Sequence, residues 1–137
     1  MSIHHLQLWV PDLGRAEVSW GWLLGRLGYQ LERSWEHGRL WREDASAIVI
    51  EESPDMVPGM LYSRLRPGLN HVAFHVGNTD DLEHLLLDGP GYGWRPIGDD
   101  QRHPVGGHHA VGYLEDADGF EVELVAPDAA GGRPRVR

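Results

Sequence analysis

The chain has 137 residues, 41% of them apolar, a formal charge of −9 at neutral pH, no cysteine, and only arginine among its twelve basic residues. This suits one compact domain or two small modules sharing a core; it excludes disulfides, thiolate nucleophiles, cysteine-based zinc sites and Schiff-base lysines, and the acidic balance argues against a nucleic-acid partner. No run approaches the roughly 18 apolar residues of a membrane span and the opening Met-Ser-Ile-His-His has no secretory pattern, so a cytoplasmic protein that does not engage membranes is expected.

Taken in order, Ile3 to Val10 alternates apolar and polar residues and reads as a strand, stopped by Pro11. Asp12 can cap a helix to about Leu27, with Ala16, Trp20, Leu23, Leu24 and Leu27 at helical spacing and Gly28 suited to the left-handed position after the last turn. Strands follow near Tyr29–Trp35, Arg39–Arg42 and Ser46–Glu51. The proline- and glycine-bearing stretch up to Leu69 reads as a linker. The same order then repeats. His71 to Val76 is a strand, Asn78 or Asp80 caps a helix carrying Leu82, Leu85 and Leu86, and strands lie near Trp94–Ile97, His109–Leu114 and Phe120–Val125. Asp116 to Gly119 turns the last pair. The expectation is an α+β fold of two tandem βαβββ modules, residues 1–54 and 70–126, with a linker at 55–69 and a frayed tail at 127–137. The modules would build a curved mixed sheet with helices on one face and a metal-binding cup on the other.

Nine histidines are the count that points toward chemistry. Side chains alternate across a strand, so faces can be sorted. If Leu6, Leu8 and Val10 cover the first helix, His5, Gln7 and Trp9 face the open side. By the same logic His71, Ala73 and His75 point outward, as do Val49 and Glu51, and Glu121, Glu123 and Val125. Each first strand thus offers a histidine and each last strand a glutamate, in matching register in the two repeats and on the faces opposite the apolar stripes. His5, Glu51, His71 and Glu123 on one face suit an octahedral site for one divalent ion (iron, manganese, nickel, cobalt or zinc), leaving two positions for water or a bidentate substrate.

These residues resemble a known family. His5-Leu-Gln-Leu-Trp-Val-Pro-Asp-Leu resembles the opening of a glyoxalase-type module, and Asn70-His71-Val-Ala-Phe-His-Val is similar to the opening of the second module. Glu115-Asp-Ala-Asp-Gly-Phe-Glu-Val-Glu123-Leu-Val resembles the family's closing turn and metal-binding strand, and Ile48-Val-Ile-Glu51 resembles the closing strand of module one. The likeness, over about residues 3 to 126, is to the vicinal oxygen chelate superfamily of glyoxalases, bleomycin resistance proteins and extradiol dioxygenases. It implies a metal-bound small substrate with two adjacent oxygens and an isomerase or lyase reaction through an enediolate, with Glu123 or Glu51 acting as base as well as ligand. In this superfamily the cup forms from two modules of one chain or from modules paired across a dimer; a homodimer is expected here, because edge strands and apolar rims would otherwise be exposed. Trp9 stands where glyoxalase I carries a glutathione-contacting arginine, so a glutathione-linked substrate is not expected and an apolar or aromatic one is.

Two alternatives remain open within the resemblance. An extradiol-type Fe(II) dioxygenase would use His5, His71 and Glu123 as a facial triad, with Glu51 a bystander. The segment from His103 through His108 and His109 to Tyr113 and Glu123 loosely resembles the dioxygenase signature, departing at Gly112 and Ala117. A small-molecule binding or antibiotic resistance protein would carry no metal, although such members usually lose ligands. Gln7, Trp9, His75, His109 and Tyr113 are the positions expected to face substrate or support the ligands.

Overall fold

The computed structural model describes residues 1–98 and 110–127. His103, His108 and His109, and nearly all of the tail, lie outside the described residues. The chain forms two compact units, the second beginning at Ser63. Among the described residues no helix is long and apolar enough to cross a membrane.

The first unit holds β1 (His5–Trp9), α1 (Leu13–Arg26), β2 (Gln30–Trp35), β3 (Gly38–Glu43) and β4 (Ser46–Glu51). The Asp12 carboxylate accepts from the Arg15 N–H at 2.9 Å, satisfying one of the amides that a helix start leaves without a partner. Ala16, Trp20, Leu23 and Leu24 are buried along one stripe of α1, and Gly28 takes a φ of 94° just beyond its end. The strand order is β1-β4-β3-β2, with β1 parallel to β4 and the other pairs antiparallel. Leu8, Trp41, Ile48 and Ile50, which share a face in this register, are all buried.

The second unit repeats the plan with β5 (Val72–His75), α2 (Thr79–Asp88), β6 (Arg95–Ile97), β7 (Ala110–Glu115) and β8 (Glu121–Ala126). Asn78 is the N-cap of α2 and accepts from the Asp81 N–H at 2.8 Å, with Asp80 and Asp81 in the first turn where the helix dipole favours negative charge. The order is β5-β8-β7-β6, again with the first pair parallel. Tandem modules of one plan are therefore present. One element was not anticipated: a short 3-10 helix at Gly89–Tyr92, begun by Gly-Pro-Gly, which precedes the buried Trp94.

The β7–β8 hairpin decides which side chains meet on the open face. Asp116 Oδ1 accepts from the backbone N–H groups of Asp118 and Phe120, both at 2.9 Å, while Gly119 adopts a φ of 87°. This closed turn sets the register Glu115↔Glu121, Tyr113↔Glu123 and Val111↔Val125. On the opposite face, a Cβ at Gly112 would come within 2.9 Å of Leu86 and 3.1 Å of Leu82, so the glycine is where α2 packs against β7. The departure from the dioxygenase signature at Gly112 is thus a matter of helix packing and lies on the face away from Glu123. Replacing Asp116 with alanine strands the buried Phe120 N–H. We expect a loss of about 1–3 kcal/mol, the usual cost of an unsatisfied buried donor, measurable as a lowered urea midpoint.

Candidate metal centre

The expected site residues are best located by ladder position within each sheet. In the second unit Val72 pairs with Val122 and Ala73 with Glu123, so His71 sits just ahead of the paired segment of β5. Its ring reaches forward along the open face, and Nε2 lies 3.1 Å from Glu123 Oε2. Glu123 is buried, and its other oxygen, Oε1, accepts from the Tyr113 hydroxyl at 3.2 Å. The remaining nitrogen of His71, Nδ1, is 2.7 Å from the side-chain oxygen of Asn70. The rings of His71 and Tyr113 meet edge to face at 6.4 Å. His71, Glu123 and Tyr113 therefore come together. His75 pairs with Val125 further along the face and is exposed.

In the first unit His5 pairs with Ala47, Gln7 with Val49 and Trp9 with Glu51. Glu51 is on the open face, as strand alternation requires. It lies four residues beyond the ladder position of His5, however, about 13 Å along a strand at roughly 3.3 Å per residue. The exit hydrogen bonds of the two parallel pairs correspond: Val10 N–H donates to the Glu51 carbonyl at 2.8 Å, and Val76 N–H to the Val125 carbonyl at 2.9 Å. Glu51 is thus the counterpart of Val125, and the counterpart of Glu123 is Val49. The expectation that Glu51 and Glu123 occupy matching register is corrected by this pairing. Val49 is buried and carries no donor atom. The adjacent Glu52 accepts from the Leu13 N–H at the start of α1, at 3.3 Å, a role in the helix entry. The His5 ring is exposed and its Nδ1 is 2.8 Å from that of His4; Gln7 is exposed, and Trp9 is 45% exposed on the edge strand.

Further charged groups on the second sheet escaped the sequence reading. Arg64, in the segment before β5, lies with Nε 2.8 Å from Glu121 Oε2 and with a terminal nitrogen 3.2 Å from Glu115 Oε1. Arg95 of β6 also pairs with Glu115. Glu121, expected to point outward on the open face, is 2% exposed. Outward on the sheet proves to mean covered, and the carboxylate is matched by a guanidinium as burial of charge demands. No spacing rule links Arg64 to Glu121, since the contact crosses from a linker to the last strand.

Among the described residues, no three histidine, aspartate or glutamate side chains form a cluster of metal-binding size. The pair in the second unit nonetheless fits a divalent cation chemically. An imidazole nitrogen and a carboxylate oxygen face one another, and their outer atoms are held by Asn70 and Tyr113, as the supporting partners of metal ligands commonly are. Two adjacent octahedral ligands with bonds of about 2.1 Å would stand roughly 3.0 Å apart, against the 3.1 Å found here.

The family profile described as the Glyoxalase/Bleomycin resistance protein/Dioxygenase superfamily matches residues 4–113. An uncharacterised Bacillus subtilis protein, YqjT, is 38% identical over 128 residues, covering 91% of this chain and 98% of the relative. Among solved structures, a glyoxalase-type protein of Bacillus halodurans is 30% identical with a TM-score of 0.81, covering 91% of this chain and 95% of its own. The fosfomycin resistance protein FosX of Listeria monocytogenes shares the fold at 19% identity and a TM-score of 0.64, covering 93% and 92%. A FosX variant of similar likeness was solved with Mn(II) and 1S,2S-dihydroxypropylphosphonic acid.

The Arg64–Glu121 pair carries a stability prediction. Arg64→Leu leaves a fully buried carboxylate without its guanidinium and should cost about 3–5 kcal/mol, whereas the double replacement Arg64→Leu with Glu121→Leu should recover most of that loss. Urea denaturation of the two variants beside the parent checks it, and equal losses in both would contradict it.

Proposed function

The chain belongs to the glyoxalase/bleomycin resistance protein/dioxygenase superfamily, and from that membership we propose that it is a divalent-metal-dependent enzyme acting on a small substrate with two adjacent oxygens. The observation that carries this reading is the His71–Glu123 pair, 3.1 Å apart, with both outer atoms engaged by neighbouring side chains. His71 Nε2 and Glu123 Oε2 would hold the ion, with His5 as the third protein ligand, supplied by the first module of this chain or of a second copy in a homodimer. Bound there, iron, manganese, nickel, cobalt or zinc would act as a Lewis acid on the chelating oxygens.

The ladder register supports two histidines and one carboxylate rather than four protein ligands, because Val49 stands where a second carboxylate would be needed. Glu51 is then neither ligand nor the base opposite Glu123. Proton handling on the substrate falls to Glu123, whose Oε1 is kept oriented by the Tyr113 hydroxyl. Isomerase- or lyase-type chemistry with this single carboxylate is the function we favour. The vicinal diol and Mn(II) seen with the FosX variant belong to that protein, and they agree with a substrate of adjacent oxygens here. Trp9, half exposed on the open face of the first sheet, and Gln7 beside it are the proposed substrate-facing groups, in keeping with a substrate other than a glutathione adduct.

A second reading, an extradiol-type dioxygenase, gains from the same register, since His5, His71 and Glu123 make up the facial triad that chemistry uses. Oxygen uptake by the Fe(II)-loaded protein on addition of catechols separates it from the first. The ligand assignment is tested by metal content after purification without chelators and reloading with Mn(II). His71→Ala and Glu123→Ala should lower Mn(II) affinity at least ten- to a hundred-fold, while Glu51→Ala should leave it within twofold of the parent (on the order of the effects seen for lost ligands and their supports). Loss of metal in Glu51→Ala would restore the four-ligand set, and a parent that takes up no metal would favour a binding or resistance protein.

A further inference from the structure

Asn70 makes two contacts that together constrain which nitrogen of His71 carries the proton. Its amide nitrogen donates to the Arg64 backbone carbonyl at 3.2 Å, and its side-chain oxygen lies 2.7 Å from His71 Nδ1. A backbone carbonyl only accepts, so the nitrogen end of the amide belongs at Arg64 and the oxygen end at His71. An amide oxygen also only accepts, and His71 Nδ1 must therefore be the N–H. In a neutral ring this leaves Nε2 with its lone pair directed at Glu123 Oε2, 3.1 Å away. Two acceptors at that distance repel unless a proton or a metal ion is shared between them, and in the neutral ring a metal ion in that place makes them a ligand pair.

We propose that Asn70 is a positioning residue that fixes His71 in the Nδ1–H tautomer and so reserves Nε2 as a ligand atom. The inference rests on the metal-binding reading above and goes beyond it by assigning the residue that prepares the ligand. Asn70 is itself tied to the strands that carry the pair. The Arg64 guanidinium is held by Glu121 of β8 and Glu115 of β7, and the same two strands carry Glu123 and Tyr113. The frame that orients the carboxylate therefore also orients the imidazole through Arg64 and Asn70. Without Asn70, the cheaper arrangement is the opposite tautomer, with Nε2–H donating to Glu123 and blocking the ligand position.

The test measures His71 ring nitrogens by ¹⁵N NMR in metal-free protein at alkaline pH, and Mn(II) affinity by calorimetry, for the parent, Asn70→Leu and Asn70→Asp. The parent should show Nδ1–H. Asn70→Leu, similar in size but unable to accept, should shift to Nε2–H and bind Mn(II) about ten- to a hundred-fold more weakly. Asn70→Asp keeps the acceptor facing His71 and should keep the Nδ1–H form, which preserves the test if Asn70→Leu does not fold. A parent in the Nε2–H form, an Asn70→Leu protein that retains Nδ1–H, or an Asn70→Asp protein that loses it would overturn the proposal. Because the tautomer is read without metal, a failure of Asn70's role is distinguishable from a parent that does not take up Mn(II), which would overturn the metal reading instead.

Discussion

A carboxylate withdrawn from water must be met by charge or by hydrogen bonds, and on the second sheet that requirement falls on Glu123. It is buried, with one oxygen engaged by Tyr113 and the other facing His71. The parallel pairing of β5 with β8 and the Asp116 turn between β7 and β8 bring these groups together. Were either register to slip by one residue, Glu123 would turn toward the helix and its apolar neighbours Val122 and Leu124 would turn outward. The cap of α2, the packing of Leu82 and Leu86 over Gly112, and the arginine that ties the linker to Glu121 all surround that pairing.

The two modules repeat a plan but not the side chains on its open face. Each has a histidine ahead of or at the start of its parallel first strand, and each sends that strand's exit amide to the last strand. Only the second places a carboxylate at the ladder position the histidine can reach. In the first module that position is Val49, and the nearby carboxylates lie elsewhere: Glu51 one further step along the open face, Glu52 at the N-terminus of α1. A tandem fold tolerates this division, because both sheets keep their buried helix-facing rows whatever stands on the open face. The open face of the first module instead carries an exposed histidine, His5, and an exposed aromatic surface at Trp9.

Much of this was legible in the sequence, for identifiable reasons. The cap at Asp12, the cap at Asn78 and the order of elements follow from local chemistry that the chain carries in short windows. Facing Tyr113 with Glu123 could also be read locally, because a tight turn centred on Asp118 fixes every pair up the hairpin. The ladder position of Glu51 could not. Alternation tells which face a strand residue occupies, but β1 and β4 are parallel and joined through a helix and two strands, so no short turn sets their register. Arg64 was missed for a related reason, since its partners are distant in sequence and its own neighbourhood reads as linker. The 3-10 turn at Gly89 was hidden because its glycines and proline read as a loop.

The most direct measurement is anomalous diffraction from crystals equilibrated with Mn(II), collected at the manganese edge. The expected result is one strong site bonded to His71 Nε2 and Glu123 Oε2, with Asn70 on the far side of the ring and Glu51 outside the coordination sphere. A manganese ion bonded through Glu51, or a fully soaked crystal with none between His71 and Glu123, would contradict the central claim.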